Sequence, residues 1–209
     1  STFAQAVLVT TPAGLTAEHL SAALGAVLDR HDMLRSVMRG DTWEVRAGAA
    51  DPGTLVTRVP VADLDDIEDL IASRCDSAAA ALDPAAGVML QAVWFEVDAA
   101  DTQGKLLLVA HHLVVDGVSW RVLLPDLGQA WMQVAAAQEP VLPPVGTSFR
   151  RWAHALHDAA RDGAFADELV YWQRTLTGAR PLRGIGTLDP DVDTLAATRR
   201  IDVALDPAV

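Results

Sequence analysis

The sequence predicts a mixed α/β fold, an α+β sandwich, on three observations. Stretches with helical apolar spacing alternate with short strand-like runs along most of the chain. Hydrophobic residues make up 51% of the 209 positions, enough to bury a substantial core. One apolar run, residues 105–110, sits between Gly104 and His111 and reads as a strand buried on both faces.

The elements follow in order. Residues 4–10 have strand character, and Thr11-Pro-Ala-Gly14 is turn chemistry. Thr16 is placed to cap a helix whose Leu20, Leu24, Val27 and Leu28 fall on one face. Short strands are expected at 42–46 and 55–59. Asp65 is expected to cap a second helix, with Ile67, Leu70, Ile71 and Cys75 inward. Asp83-Pro84 opens a loop before a strand at 88–97. After residue 120 the pattern is mostly helical. Leu123, Leu127, Trp131 and Val134 form a stripe, interrupted by Pro125, which either kinks the helix or marks where its regular part begins. Residues 139–146 read as a linker-like loop. Ser148 caps a helix carrying Trp152 and Leu156, and another helix carries Leu169, Trp172 and Leu176. Residues 178–193 read as loop and 199–205 as one more strand. Trp120, Trp131, Trp152 and Trp172 are expected to pack in the core.

Charge and composition narrow the function classes. The net charge of -12 argues against nucleic acid as the main partner, although half of the sixteen basic residues lie between Arg150 and Arg200. No run approaches the ~18 apolar residues of a membrane span, and residues 1–10 lack the charged start of a signal peptide. The single cysteine, Cys75, has no partner for an internal disulfide and reads as a small core residue. A cytoplasmic location with no membrane association is expected.

The chemistry is concentrated in His111-His-Leu-Val-Val-Asp-Gly-Val-Ser-Trp120. Successive strand side chains point to opposite faces, so one imidazole is free to enter a cleft while the other faces the core. Asp116-Gly117 is a turn signal, and glycine there permits positive φ and close backbone approach. Ser119 is a suitable helix cap. Histidine suits proton transfer because its ordinary pKa of ~6.5 lies near working pH. A metal is not expected, because adjacent strand histidines diverge and no further ligands stand at a metal-binding spacing. His154 and His157, three apart on one helix, also lack further ligands. A hydrolase triad is disfavoured because no Gly-x-Ser-x-Gly elbow is present. His31, following the first helix, is expected to be structural.

The pattern His-His-x-x-x-Asp-Gly resembles the signature of the condensation superfamily of nonribosomal peptide synthetases. The longer string HHLVVDGVSWRVLLPDL is similar to the epimerization subtype, in which Asp-Gly is followed by Val-Ser-Trp-Arg. Thr2-Phe-Ala-Gln5 resembles that subtype's Phe-Asn-Gln opening, and Arg30-His-Asp-Met-Leu-Arg35 the superfamily's His-Asp-x-Leu-Arg motif. Thr147-Ser-Phe-Arg-Arg-Trp-Ala153 and Tyr171-Trp172 resemble its later helices.

The resemblance implies one of two chloramphenicol acetyltransferase-like lobes. Residues 1–178 would be the N-terminal lobe, and 179–209 a crossover and first strand of the second. The substrate implied is an aminoacyl or peptidyl thioester on the phosphopantetheine arm of a peptidyl carrier protein, with no tightly bound cofactor. His112 would be the proton-transfer residue, supported by His111, Asp116, Gly117, Ser119, Trp120 and Arg35. Asp116 is expected to organise the loop or to form an ion pair, with Arg35 as the partner in that pair. Backbone N–H groups of 116–119 would stabilise an enolate oxygen. The family's second-lobe glutamate, in a Glu-x-His-Gly-Arg motif, has no counterpart here. The chain is therefore expected to need its missing C-terminal lobe to epimerize. Two other activities remain open: an amide-forming condensation domain, and a non-catalytic lobe that docks a carrier protein.

Overall fold

β6 (Lys105–His111) lies inside a four-stranded sheet ordered β1-β6-β5-β4, where β1 is Ala4–Thr10, β4 is Val56–Val61 and β5 is Leu90–Val97. These elements come from a computed structural model that describes residues 3–48, 52–97, 102–177, 189, 191–194 and 197. β6 is antiparallel to both of its neighbours, whereas β4 and β5 run parallel. Leu106 to Ala110 are all buried because helices cover both sides of this strand.

Side-chain alternation divides the core by face. Leu106, Leu108 and Ala110 pack with α1 (Ala17–Arg30) and α4 (Trp120–Ala135). Leu107 and Val109 pack on the other face with Val93, Phe95 and residues of α3 (Glu68–Ala80). Each fully buried leucine or valine side chain stabilises the fold by roughly 1.5–3 kcal/mol. The apolar stripes of α1 and α4 explain why these two helices share one layer.

The β1–β6 register carries the site. Ala4 lies opposite His111 and Gln5 opposite Ala110, down to Thr10 opposite Lys105. At the far end Thr11 and Gly104 lock this register. The Gly104 N–H donates to the buried Thr11 Oγ1 at 2.9 Å, and the Thr11 N–H donates to the Gly104 carbonyl at 3.0 Å. A Cβ at Gly104 would collide with the Phe95 carbonyl oxygen, so glycine is required there. A one-residue slip would turn Gln5 to the opposite face.

Most sequence expectations for this part hold. Thr16 caps α1, its Oγ1 accepting from the His19 N–H at 3.1 Å. The expected strands correspond to β1, β3 (Thr42–Val45), β4, β5 and β6. Three short elements are not foreseen from the sequence: β2 (Ser36–Arg39), which forms a hairpin with β3, the 3-10 turn Asp32–Arg35, and α2 (Pro52–Leu55). Asp65 does not cap α3, whose N-cap position is Ile67, without a side-chain bond. The Asp65 N–H instead donates to Asp63 Oδ1, and Asp66 adopts positive φ. This local Asx geometry competes successfully with capping. α4 begins before Pro125 and contains it, so the residue removes only the donor that would have met the Arg121 carbonyl.

The chain divides into two compact units, Ser1–Trp152 and Ala153–Val209. α5 (Phe149–Arg161) runs across that break, and Ser148 Oγ accepts from the Arg151 N–H at its start. The second unit continues with α6 (Leu169–Leu176). Trp152 and Trp172, expected in the core, are 55% and 51% exposed. Helical spacing shows which face is apolar but carries no information about what covers it. The loop and strand expected at 178–193 and 199–205 fall largely outside the described residues. Among the described residues, no helix is long and apolar enough to cross a membrane.

Candidate active site around His112

The strand register places His112 one step beyond β6, opposite Phe3, with its N–H donating to the Phe3 carbonyl at 2.9 Å. By alternation Phe3, Gln5, Ala110 and His112 share the face covered by α1 and α4, whereas Ala4 and His111 face the α3 side. The two imidazoles therefore diverge, as adjacency on a strand requires. Among the described residues no three histidine, cysteine or carboxylate side chains gather as a metal site would need.

The His112 ring is held by two side chains, one of them oriented by a third. Its ring stacks on Phe3 with centroids 4.4 Å apart and planes 12° apart. Its Nε2 lies 3.2 Å from Gln5 Nε2, and Trp120 Nε1 donates to Gln5 Oε1 at 3.0 Å. Gln5 enters from β1 and Trp120 from the first turn of α4. All three side chains are half-buried. Trp120 lies against the α1–α4 core, in keeping with the packing role expected of it. Its indole N–H, however, also reaches the site. Gln5 enters the sequence argument only through a resemblance and not as a site residue. Strand periodicity and a half-buried amide on an otherwise apolar face are the signals that could find it.

His111 is half-buried and lies opposite Ala4 on the α3 side of the sheet. Its Nδ1 accepts from the Leu113 N–H at 3.2 Å. Burial, and then the neighbouring His112, lower its pKa from the ordinary histidine value. Protonation at Nδ1 would set two donors against each other.

The Asp116 loop is organised from within. Asp116 Oδ1 accepts from the Val118 N–H at 3.0 Å, the Ser119 N–H at 2.8 Å and the Ser119 hydroxyl at 2.8 Å, while the Asp116 N–H donates to Ser119 Oγ. These bonds, led by the Ser119 hydroxyl, hold the exposed carboxyl below the usual aspartate range. Ser119 occupies the N-cap position of α4 but has helical φ and ψ and makes no capping bond. Asp116 performs that role instead. Three of the four N–H groups expected to face an enolate oxygen are thereby engaged. Only the Gly117 N–H has no acceptor among the described residues. Gly117 does not adopt positive φ, and a Cβ there would meet nothing within 4 Å, so the backbone does not require glycine.

The expected Asp116–Arg35 pair does not form. Arg35 secures the turn after α1: Nε donates to the Leu28 carbonyl at 2.8 Å, Nη1 to the Arg46 carbonyl, and Nη2 to Asp32 Oδ1 at 2.8 Å. A guanidinium saturated by local acceptors is not available to a distant carboxylate. His31 Nε2 bonds Asp126 Oδ2 of α4 at 2.8 Å, tying the turn after α1 to that helix. A depression of about 430 Å³ lies nearby, lined by His31, Val114, Ser119, Val122 and Phe149 among others, but neither His111 nor His112 lines it.

The site is thus a half-buried histidine just past the end of a covered strand, followed by an aspartate-closed loop into a helix, on an α/β lobe. The chain belongs to the condensation-domain family, whose model matches residues 1–203. It is 35% identical over 208 residues to one of the linear gramicidin synthase polypeptides of Brevibacillus parabrevis, covering 96% of this chain and 3% of that synthase. Among solved structures, the epimerization domain from the third module of tyrocidine synthetase B is similar at TM-score 0.75 and 28% identity, covering 86% of this chain and 41% of that one. The starter condensation domain of rhizomide synthetase shares the fold at TM-score 0.68 and 14% identity, covering 87% and 44%. This chain thus spans under half the length of these solved domains and a small fraction of the synthase.

Proposed function

We propose that this chain is the histidine-bearing lobe of an epimerization domain in nonribosomal peptide synthesis. Residues 1–178 would form the lobe, and 179–209 would lead into the second. The observation that carries the reading is the Trp120–Gln5–His112 chain. Gln5 and Trp120 come from the two stretches by which the sequence resembles the epimerization subtype, and they meet at the Gln5 amide, whose other end faces the His112 ring. The 28% identity to an epimerization domain supports the same reading.

The substrate is an aminoacyl or peptidyl thioester on the phosphopantetheine arm of a peptidyl carrier protein. A thioester acidifies its α-proton only modestly, so the enolate needs a positioned donor as it forms. Within this loop the Gly117 N–H is the donor still open for that role. His112 exchanges the proton on one face of Cα. A group from the C-terminal lobe serves the other face, because inversion needs acid–base chemistry on both.

The test uses the intact two-lobed domain with a loaded carrier protein in deuterated water. D-residue formation with deuterium at Cα, lost in His112→Ala, is the expected result. Amide formation with a second aminoacyl carrier, without α-exchange, would instead establish a condensation domain. Carrier binding with neither reaction would leave a docking lobe.

A further inference from the structure

Every donor and acceptor in the Trp120–Gln5–His112 chain is fixed by its first member. An indole N–H can only donate, so the Gln5 terminus facing Trp120 at 3.0 Å is its carbonyl oxygen. The other terminus, the NH₂, then faces His112 Nε2 at 3.2 Å. An amide NH₂ also only donates, so Nε2 must present its lone pair. In neutral His112 the ring proton therefore resides on Nδ1, which has no hydrogen-bond partner among the described residues. Turning the Gln5 amide over would set its NH₂ against the Trp120 N–H and leave a half-buried donor unsatisfied, at a free-energy cost. The neighbouring His111 takes the opposite tautomer, because its Nδ1 receives the Leu113 N–H.

We propose that Gln5 is a positioning residue that, oriented by Trp120, fixes the tautomer and ring plane of His112. This inference rests on the reading of His112 as the proton-transfer residue: Gln5 holds the basic lone pair on Nε2 in the substrate-free lobe, and its NH₂ must give way there before that nitrogen can take a proton from Cα. The nitrogen that holds the lone pair is dictated by β1 and α4, and not by the loop that carries the histidine. The Phe3 stack holds the plane of the ring, and Gln5 sets which edge of that plane accepts.

The test is ¹⁵N–¹H correlation of the His112 ring in the intact two-lobed domain, at a pH where the ring is neutral and with the signal assigned by its loss in His112→Ala. The wild-type protein should show the Nδ1–H tautomer. Gln5→Glu, whose carboxylate accepts from both neighbours, should convert it to Nε2–H. Trp120→Phe, which keeps an aromatic ring but frees the Gln5 amide to turn, should give a mixture, as should Gln5→Leu. On the activity side, Gln5→Leu should lower kcat for α-exchange by about tenfold, the scale of one lost hydrogen bond, with KM for the carrier nearly unchanged. An Nε2–H tautomer in the wild-type protein would overturn the inference. So would an Nδ1–H tautomer that persists in both Gln5→Leu and Trp120→Phe. Should the domain form amides and no D-residues, the epimerization reading fails while the tautomer result still decides the role of Gln5.

Discussion

Asp116 Oδ1 receives both the N–H and the hydroxyl of Ser119 at 2.8 Å, closing the loop between the strand that carries His112 and the helix that carries Trp120. This contact is local, spanning three residues, and it replaces the long-range pair with Arg35 that the motifs suggest. An arginine and a carboxylate that look like one pair in the sequence belong to separate networks in space. Arg35 holds the turn after α1 together with Asp32, and Asp116 holds the start of α4.

Asp116→Ala should therefore loosen the loop and lower activity, and Asp116→Asn, which keeps an acceptor oxygen, should do less harm. Combined with Arg35→Ala, the effects on unfolding by urea should simply add, because the two side chains share no partner. A coupling between them in that double-mutant cycle would restore the long-range pair. The pH dependence has a defined sign. The Asp116 carboxyl lies below its ordinary value in the folded chain, so its contribution is present above about pH 3.8 and is lost as pH falls through the lower, folded value.

Gly117→Ala separates conformation from ligand approach. The residue does not occupy the left-handed region, and a Cβ would meet no atom within 4 Å. Thermal unfolding should be unchanged or slightly more resistant, by up to about 1 kcal/mol from the reduced freedom of the unfolded chain. If the Gly117 N–H faces the thioester, the added methyl should still impair α-exchange. A variant that is both stable and fully active would remove Gly117 from the site.

The fold is legible where one signal suffices. The buried run at 105–110, the Thr16 cap and the stripe on α4 each follow from local pattern, and the structure matches them. The short elements β2 and α2, four residues each, carry too little periodicity to stand out. His112 is legible as a histidine at a strand end, but its surroundings depend on register. Gln5 meets His112 across 107 residues of sequence, and Trp120 meets Gln5 across 115. Spacing in the sequence does not encode such contacts. Trp152 and Trp172 show the reverse case, since an apolar helix face is visible in the sequence and its covering is not.

His111 should make acidification destabilising over a definite window. Its folded pKa is lowered, chiefly by burial and then by His112. Above about pH 6.5 both folded and unfolded chains hold the ring neutral, so it makes no difference to stability. As pH falls from there, the unfolded chain takes up the proton first, and stability declines until the folded ring is also protonated. His111→Gln should flatten this part of the stability–pH curve measured by chemical denaturation. An unaltered slope between the variant and the parent would mean that another group governs the window.

Phe3 tests whether the His112 ring needs its plane held. The phenyl ring is 59% exposed, yet it lies flat on His112, so little of its area serves the core. A stacked pair of this kind contributes about 0.5–1.5 kcal/mol beyond burial. Phe3→Ala should therefore cost little stability, while freeing the imidazole to turn about its χ angles and lowering kcat for α-exchange. Phe3→Tyr, which preserves the stacking face, should keep both properties near the parent values. His112→Ala provides the limit, with α-exchange abolished and the fold retained, because the His112 backbone bond to the Phe3 carbonyl does not depend on the side chain. Phe3→Ala with unimpaired kcat would show that Gln5 alone orients the ring.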